Sequence, residues 1–249
     1  MRRIKITIQY NGTEYVGFQI QPKGTSVQSE LEGAIEKVVG HPVKVVPSGR
    51  TDAGVHAIAQ VAHFDTTNGN VSMDNIVRGA NINLPASVKL VSAEEVGENF
   101  HAKNTAKKKT YQYVCYLSRT ELPLFENRAM QVGFVPNIAE MQKAAKHLVG
   151  KHDFSSFCAA NSGRTDFVRN VLSIEIKQQT TFGCPMLIFE ITGEGFLYKM
   201  VRNIVGLLLE VGRGKHTERE VKEILEARDR KKAGRCAPAC GLYLKGVVY

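Results

Sequence analysis

Ile4-Lys5-Ile6-Thr7-Ile8-Gln9-Tyr10 alternates apolar and polar side chains with a period of two. Successive strand residues point to opposite faces, so the stretch predicts a half-buried β-strand. Asn11-Gly12 ends it as a turn. Downstream, Thr25-Ser26-Val27-Gln28 has the form of a capping box, with Thr25 at the cap and Gln28 three residues on. Val27, Leu31, Ala34, Ile35 and Val38 follow at helical spacing, and Gly40 closes the helix. Residues 43–46 predict a short strand. Residues 57–64 predict a longer one, with Ile58, Gln60, Ala62 and Phe64 facing one way. A weak helical pattern over 72–83 precedes Pro85, and 88–96 reads as a closing strand. This order is βαββαβ, the ferredoxin-like split motif.

The second half repeats the order. Residues 110–117, rich in Tyr and Val, predict a strand. Asn137-Ile138-Ala139-Glu140 supplies an N-cap with an acidic partner. Met141, Ala144, Ala145 and Leu148 then mark a helix ending at Gly150. Strands are expected at 170–177 and 186–191, helices at 196–211 and 217–227, and a last strand at 241–248. The chain therefore reads as α+β, an N-terminal domain over 1–104 and a C-terminal domain over 105–249, each ferredoxin-like. The connection over 118–135 is long, and long connections tend to carry function.

Of the 249 residues, 43% are hydrophobic and 23% charged, an ordinary globular balance. Lys and Arg number 33 against 24 Asp and Glu, for a net charge of +9. Such an excess attracts polyanions and equally serves solubility. No run approaches the roughly 18 apolar residues of a membrane span. The start, Met1-Arg2-Arg3-Ile4-Lys5, continues into alternation rather than an apolar signal core, so a cytosolic protein is expected. Five cysteines, an odd number, favour reduced thiols over a disulfide framework. Cys236 and Cys240 lack a second Cys or His pair at finger spacing, which disfavours zinc. His56, His63, His101, His147, His152 and His216 are scattered singly.

Three stretches carry candidate chemistry. In Pro47-Ser48-Gly49-Arg50-Thr51-Asp52-Ala53-Gly54-Val55-His56, glycines flank an Arg, a Thr and an Asp between two expected strands. Glycine permits left-handed turns and close approach of a ligand, so Asp52 is placed like a nucleophile or base. A turn whose Asp caps its own backbone has the same letters. The apolar helix Phe196-Leu197-Tyr198-Lys199-Met200-Val201-Arg202-Asn203-Ile204-Val205-Gly206 carries Arg202 in its middle. A buried guanidinium needs a carboxylate, and an interdomain pair with Asp52 would supply one. An Arg that reaches the surface on its long stem is the alternative. Finally, Lys107-Lys108-Lys109 runs into Thr110-Tyr111-Gln112-Tyr113, where Tyr111 and Tyr113 share a face. Bases stack on such rings while lysines follow phosphates. Core tyrosines beside a solvated basic turn also fit.

The stretch Gly49-Arg50-Thr51-Asp52-Ala53-Gly54-Val55-His56-Ala57 resembles the signature of the tRNA pseudouridine synthase A (TruA) family. The resemblance continues through Lys109–Tyr113, His152-Asp153-Phe154-Ser155-Ser156-Phe157, the helix from Gly195 to Gly206, and Ala237-Pro238-Ala239-Cys240-Gly241-Leu242-Tyr243-Leu244. It spans nearly the whole chain, in order. It departs at Ala239-Cys240, where a Pro-His or similar pair is expected. The resemblance implies the pseudouridine synthase fold, two α+β halves with joined antiparallel sheets, and a homodimer with clefts for tRNA. It implies conversion of uridine to pseudouridine in the anticodon stem-loop, with no metal or cofactor. Asp52 is then the nucleophile, Tyr111 stacks on the uracil, Arg202 pairs with Asp52, Arg50 helps hold the flipped-out state and Leu242 lines the base pocket. Lys107, Lys108 and Lys109 would contact tRNA. The run Arg228-Asp229-Arg230-Lys231-Lys232 is either a solvated face or a further phosphate contact. A non-catalytic RNA-binding module would need the basic surface and Tyr111 but neither Asp52 nor Arg202. An aspartate-dependent hydrolase would need a second acid near Asp52, which the motif lacks.

Overall fold

The computed structural model describes residues 1–159, 163 and 165–249. In chain order its strands and α-helices are β1 (Arg2–Tyr10), α1 (Val27–Val39), β2 (Val46–Pro47), β3 (His56–Thr66), α2 (Met73–Asn83) and β4 (Val88–Val96), followed by β5 (Lys108–Leu117), β6 (Met130–Val132), α3 (Ile138–Lys146), β7 (Gly150–Asp153), β8 (Val168–Thr181), β9 (Cys184–Gly193), α4 (Met200–Gly212), α5 (Glu218–Ala227) and β10 (Leu242–Val248). The fold is α+β. The chain forms two compact units, Met1–Lys107 with Tyr243–Tyr249, and Lys108–Leu242.

In the first unit β1 lies antiparallel to both β3 and β4. β10 joins β3 in parallel, Tyr243 opposite His56 and Leu244 opposite Ala57. The alternation of β1 holds, since Ile4, Ile6 and Ile8 are fully buried. The expected single face of β3 does not hold throughout. Gln60, Ala62 and Phe64 are buried, but Ile58 is 40% exposed. Pairing with β1 slips between Ile8 and Tyr10, a bulge that re-aims side chains at this end of the strand. The α1 cap is Ser26 rather than Thr25; its side chain accepts from the Ser29 amide, and Ser29 answers back to the Ser26 backbone. β2 covers only Val46–Pro47, paired with His63 and Ala62, so of the strand expected over 43–46 only Val46 lies in the sheet.

In the second unit β5 pairs antiparallel with β9, β9 with β8 and β8 with β7, while β6 runs parallel to β5. α3 packs on α4 and α5. It stops at Lys146, short of the glycine that the sequence suggested as its end; Gly150 instead opens β7. α4 starts at Met200, not Phe196, because Lys199 takes a left-handed conformation (φ 59°) that no α-helix can contain. The connection over 118–135 is built rather than open: Phe125 and Ala129 fold onto Tyr116, Cys184, Met186 and Ile188 in a small apolar cluster. No helix among the described residues is long and apolar enough to cross a membrane.

Candidate active site

Asp52 sits in the connection between β2 and β3, and the local backbone explains its placement. The Val55 amide donates to the Asp52 carbonyl (3.1 Å), closing a β-turn. Gly54 occupies its third position at φ 75°, a conformation that costs a side chain but not glycine. Asp52 itself is half-buried and forms a β-bridge with Gly17. Arg50, two residues before, is exposed.

A buried polar cluster holds the loop from behind. Tyr10 and Thr51 share a 2.7 Å hydrogen bond between hydroxyls. The Phe18 amide donates to the Thr51 carbonyl (3.1 Å). Ser48 Oγ donates to Gln60 Oε1 (2.7 Å), and Gln60 Nε2 donates to the Gly49 carbonyl (2.9 Å). Ser48, Thr51, Gln60 and Tyr10 are all buried. Burial pushes the Tyr10 phenol up to about 12, so it stays neutral. Buried hydrogen bonds of this kind are expensive to leave unmade, which gives the loop one conformation rather than many. On the downstream side the Gly12 amide donates to His56 Nδ1 (3.0 Å), and the His56 ring stacks on Tyr243 at 4.6 Å.

The second unit carries Tyr111, Arg202 and Leu242. Tyr111 lies on β5, buried to 8% exposure, with its ring edge-on to Phe196 (5.2 Å). Tyr113, two residues on, is fully buried and donates to the Pro238 carbonyl (2.8 Å). The shared face is therefore real, but Tyr113 is a core residue. Arg202, on the first turn of α4, is half-buried. Its Nε donates to the Ala237 carbonyl (2.7 Å), and the Ala237 amide donates to the Arg202 carbonyl (3.1 Å). This double clasp ties the segment before β10 to the helix. The next residue, Asn203, is fully buried; it donates to the Phe157 carbonyl (2.7 Å) and accepts from Arg230 (2.9 Å). Leu242 is buried at the start of β10. Lys107 and Lys108 are exposed and Lys109 is half-buried.

The cysteines form no disulfide among the described residues, and burial pushes the Cys115 and Cys240 thiols up. Among the described residues no group of three or more His, Cys, Asp or Glu side chains could hold a metal ion.

The family model for tRNA pseudouridine synthase matches residues 6–104 and 144–249, most of the chain. This chain belongs to the tRNA pseudouridine synthase family. The matched residues include Asp52 with its loop, Arg202 with α4, and Leu242. Over 249 residues the chain is 41% identical to tRNA pseudouridine synthase A of an Exiguobacterium species, covering 100% of this chain and 98% of that one. It is 45% identical over 253 residues to tRNA pseudouridine synthase A of Brevibacillus brevis, with 100% of both chains covered. It is 43% identical over 250 residues to tRNA pseudouridine synthase A 2 of Clostridium perfringens, again with 100% of both covered. The family signature singles out Asp52 in the sequence, whereas the groups hydrogen-bonded around its loop carry weak signals. Gly12 read as a turn, His56 as one scattered histidine, and Tyr10 as an ordinary strand residue. Asn203 lay in the recognisable helix, yet nothing in its spacing pointed to Phe157 or Arg230.

Proposed function

We propose that the chain isomerises uridines in the anticodon stem-loop of tRNA to pseudouridine, with Asp52 as the nucleophile. The observation that carries the reading is the Asp52 turn, fixed on a buried hydrogen-bond cluster in a chain matched end to end by tRNA pseudouridine synthases. Rigid mounting of a single carboxylate is what a covalent or general-base step requires. The reaction breaks the bond between ribose C1′ and uracil N1, turns the base, and joins C1′ to C5. The proton leaves C5 and one is gained at N1, so atoms balance without redox change, and the chemistry calls for neither metal nor cofactor.

A stem uridine must leave its stack first, at a cost of a few kcal/mol. In this reading Tyr111 stacks on the extruded uracil and takes part in moving the proton, Arg50 fills the gap left behind, and Leu242 lines the base pocket. Lys107, Lys108 and Lys109 meet phosphates, in keeping with the net charge of +9. Arg202 pairs with Asp52 and keeps the carboxylate ionised and aimed as RNA excludes water. With Nε committed to Ala237, its terminal nitrogens are the donors a carboxylate would meet. The protein works as a homodimer in the cytosol.

The test is to incubate the purified protein with unmodified tRNA and map pseudouridine by position. Wild type is expected to modify the anticodon stem-loop. Asp52→Asn is expected to fold, bind tRNA and make none. Wild-type protein that binds tRNA without product would be a binding module, and an active Asp52→Asn would remove this carboxylate from the mechanism.

A further inference from the structure

The turn bearing Asp52 is bracketed on both sides. Upstream, several groups act together: Tyr10 on the Thr51 hydroxyl, Phe18 on the Thr51 carbonyl, Gln60 on the Gly49 carbonyl. Downstream, the chain leaving β1 comes so close that a Cβ on Gly12 would overlap the Val55 carbonyl. The buried amide of Gly12 points at a side chain there, and that side chain is His56, 1% exposed and held flat against Tyr243 with 25° between the rings. An amide can donate to Nδ1 only if that nitrogen carries a lone pair, so the proton of the neutral ring sits on Nε2.

We infer that His56 is a positioning residue for Asp52, acting through its Nδ1 acceptor on Gly12 to fix the downstream end of the catalytic turn. The inference rests on the proposed function and adds a residue to it. His56 lies four residues after Asp52, and Val55, the residue directly before it, closes the Asp52 turn. Loss of the acceptor leaves the Gly12 amide unpaired in a buried site. The chain there shifts to rehydrate it, and the turn shifts with it. Small misplacements of a reacting group cost far more in rate than in binding.

Two substitutions separate acceptor from ring. His56→Asn keeps an oxygen near the Nδ1 position and discards the ring. His56→Phe keeps the ring on Tyr243 and discards the acceptor. Single-turnover rates and tRNA affinities are measured on both, with wild type as the control for the activity itself. The expected result is a fall of about 10²-fold in rate for His56→Phe, unchanged tRNA affinity, and substantial rescue by His56→Asn. A fully active His56→Phe, equal losses in the two variants, or a loss in affinity alone would overturn the inference. A wild-type protein without product would fail the functional reading instead. Should His56→Phe not fold, ¹⁵N spectra of histidine-labelled wild type decide: the expected ring is protonated on Nε2 with an unprotonated Nδ1, and a proton on Nδ1 overturns the assignment.

Discussion

The turn of Asp52 and the helix of Arg202 are anchored by different physics. The turn is held by polar contacts from Tyr10, Phe18 and Gln60 on its upstream side, with Gly12 bonded to His56 just beyond it. α4 is buried along most of its length, with Val201 and Ile204 to Leu209 inside, and its register is set by side-chain packing as well as by the clasp at Ala237. A turn held by a few directional bonds is able to lose its aim while the fold survives. A helix embedded in the core transmits any displacement to stability.

The largest effect expected beyond Asp52 itself is at Arg202. Lysine keeps the charge but has neither the Nε that grips Ala237 nor a planar fork for a carboxylate. Arg202→Lys should lower the single-turnover rate on the order of 10²- to 10³-fold, similar to removal of one preorganised donor. Near-normal turnover would break the proposed pair with Asp52.

A matched pair of alanines sharpens the contrast directly. At Gly12 an added Cβ meets the Val55 carbonyl, and at Gly206 it meets the Arg235 carbonyl. The steric insult is the same and the surroundings differ. Gly12→Ala should cut the rate about 10²-fold and cost some stability, but less than Gly206→Ala, because a turn shifts more readily than a helix packed in the core. Gly206→Ala lies on a buried helix and should cost roughly 1–3 kcal/mol in urea unfolding, as overpacking does. Equal loss of stability in both would show that the two regions are not distinct in this way.

Tyr111 is intermediate, a ring fixed by Phe196 on a strand. Tyr111→Phe retains the stack and removes the hydroxyl. Tyr111→Ala also removes a base contact of roughly 1–3 kcal/mol. Rate and tRNA affinity together separate the two roles, and wild-type values in both variants would make Tyr111 a sheet residue only.

How far the sequence discloses these regions depends on the range of the interactions. β1 was readable because its alternation is local and the isoleucines obey it. The Asp52 turn was readable from its motif, although the letters did not reveal what holds it: Tyr10 and Thr51 are 41 residues apart and meet only because β1 and β3 pair. Likewise the start of α4 was misplaced because helical periodicity continues through Phe196 and Leu197 while a single left-handed residue, Lys199, stops the backbone. The last strand was recognised as a strand, whereas its parallel pairing with β3 is a long-range fact that no local pattern contains.

The smallest expected effect concerns acid. His63 is held down to about 4 from its ordinary 6.5, first by burial and then by Arg3 and His101, with Asp65 opposing. Its Nδ1 accepts the Ala102 amide (3.2 Å). The unfolded chain therefore takes up a proton at higher pH than the folded one, and stability should decline as pH falls from 6.5 toward 4. Asp65, lowered by its hydrogen bond to Arg3, adds a loss only below its ordinary 3.8. Urea midpoints across the upper window check this: His63→Asn, which keeps an acceptor but no titratable ring, should flatten the slope.

The return of β10 to β3 has a consequence for how the polypeptide is made. Residues 243–249 complete the first unit, yet they are synthesised after all of 108–242. At typical translation speeds the nascent chain waits on the order of ten seconds with the parallel edge of β3 unfilled. During that interval Tyr243 cannot yet cover His56, and Tyr249 cannot yet close on Phe100 and the Ala102 carbonyl. The Asp52 turn thus acquires its full support only after the second unit has been made, and a ribosome stalled between Leu242 and Tyr249 would carry that turn without the residues that cover His56 and close on Phe100.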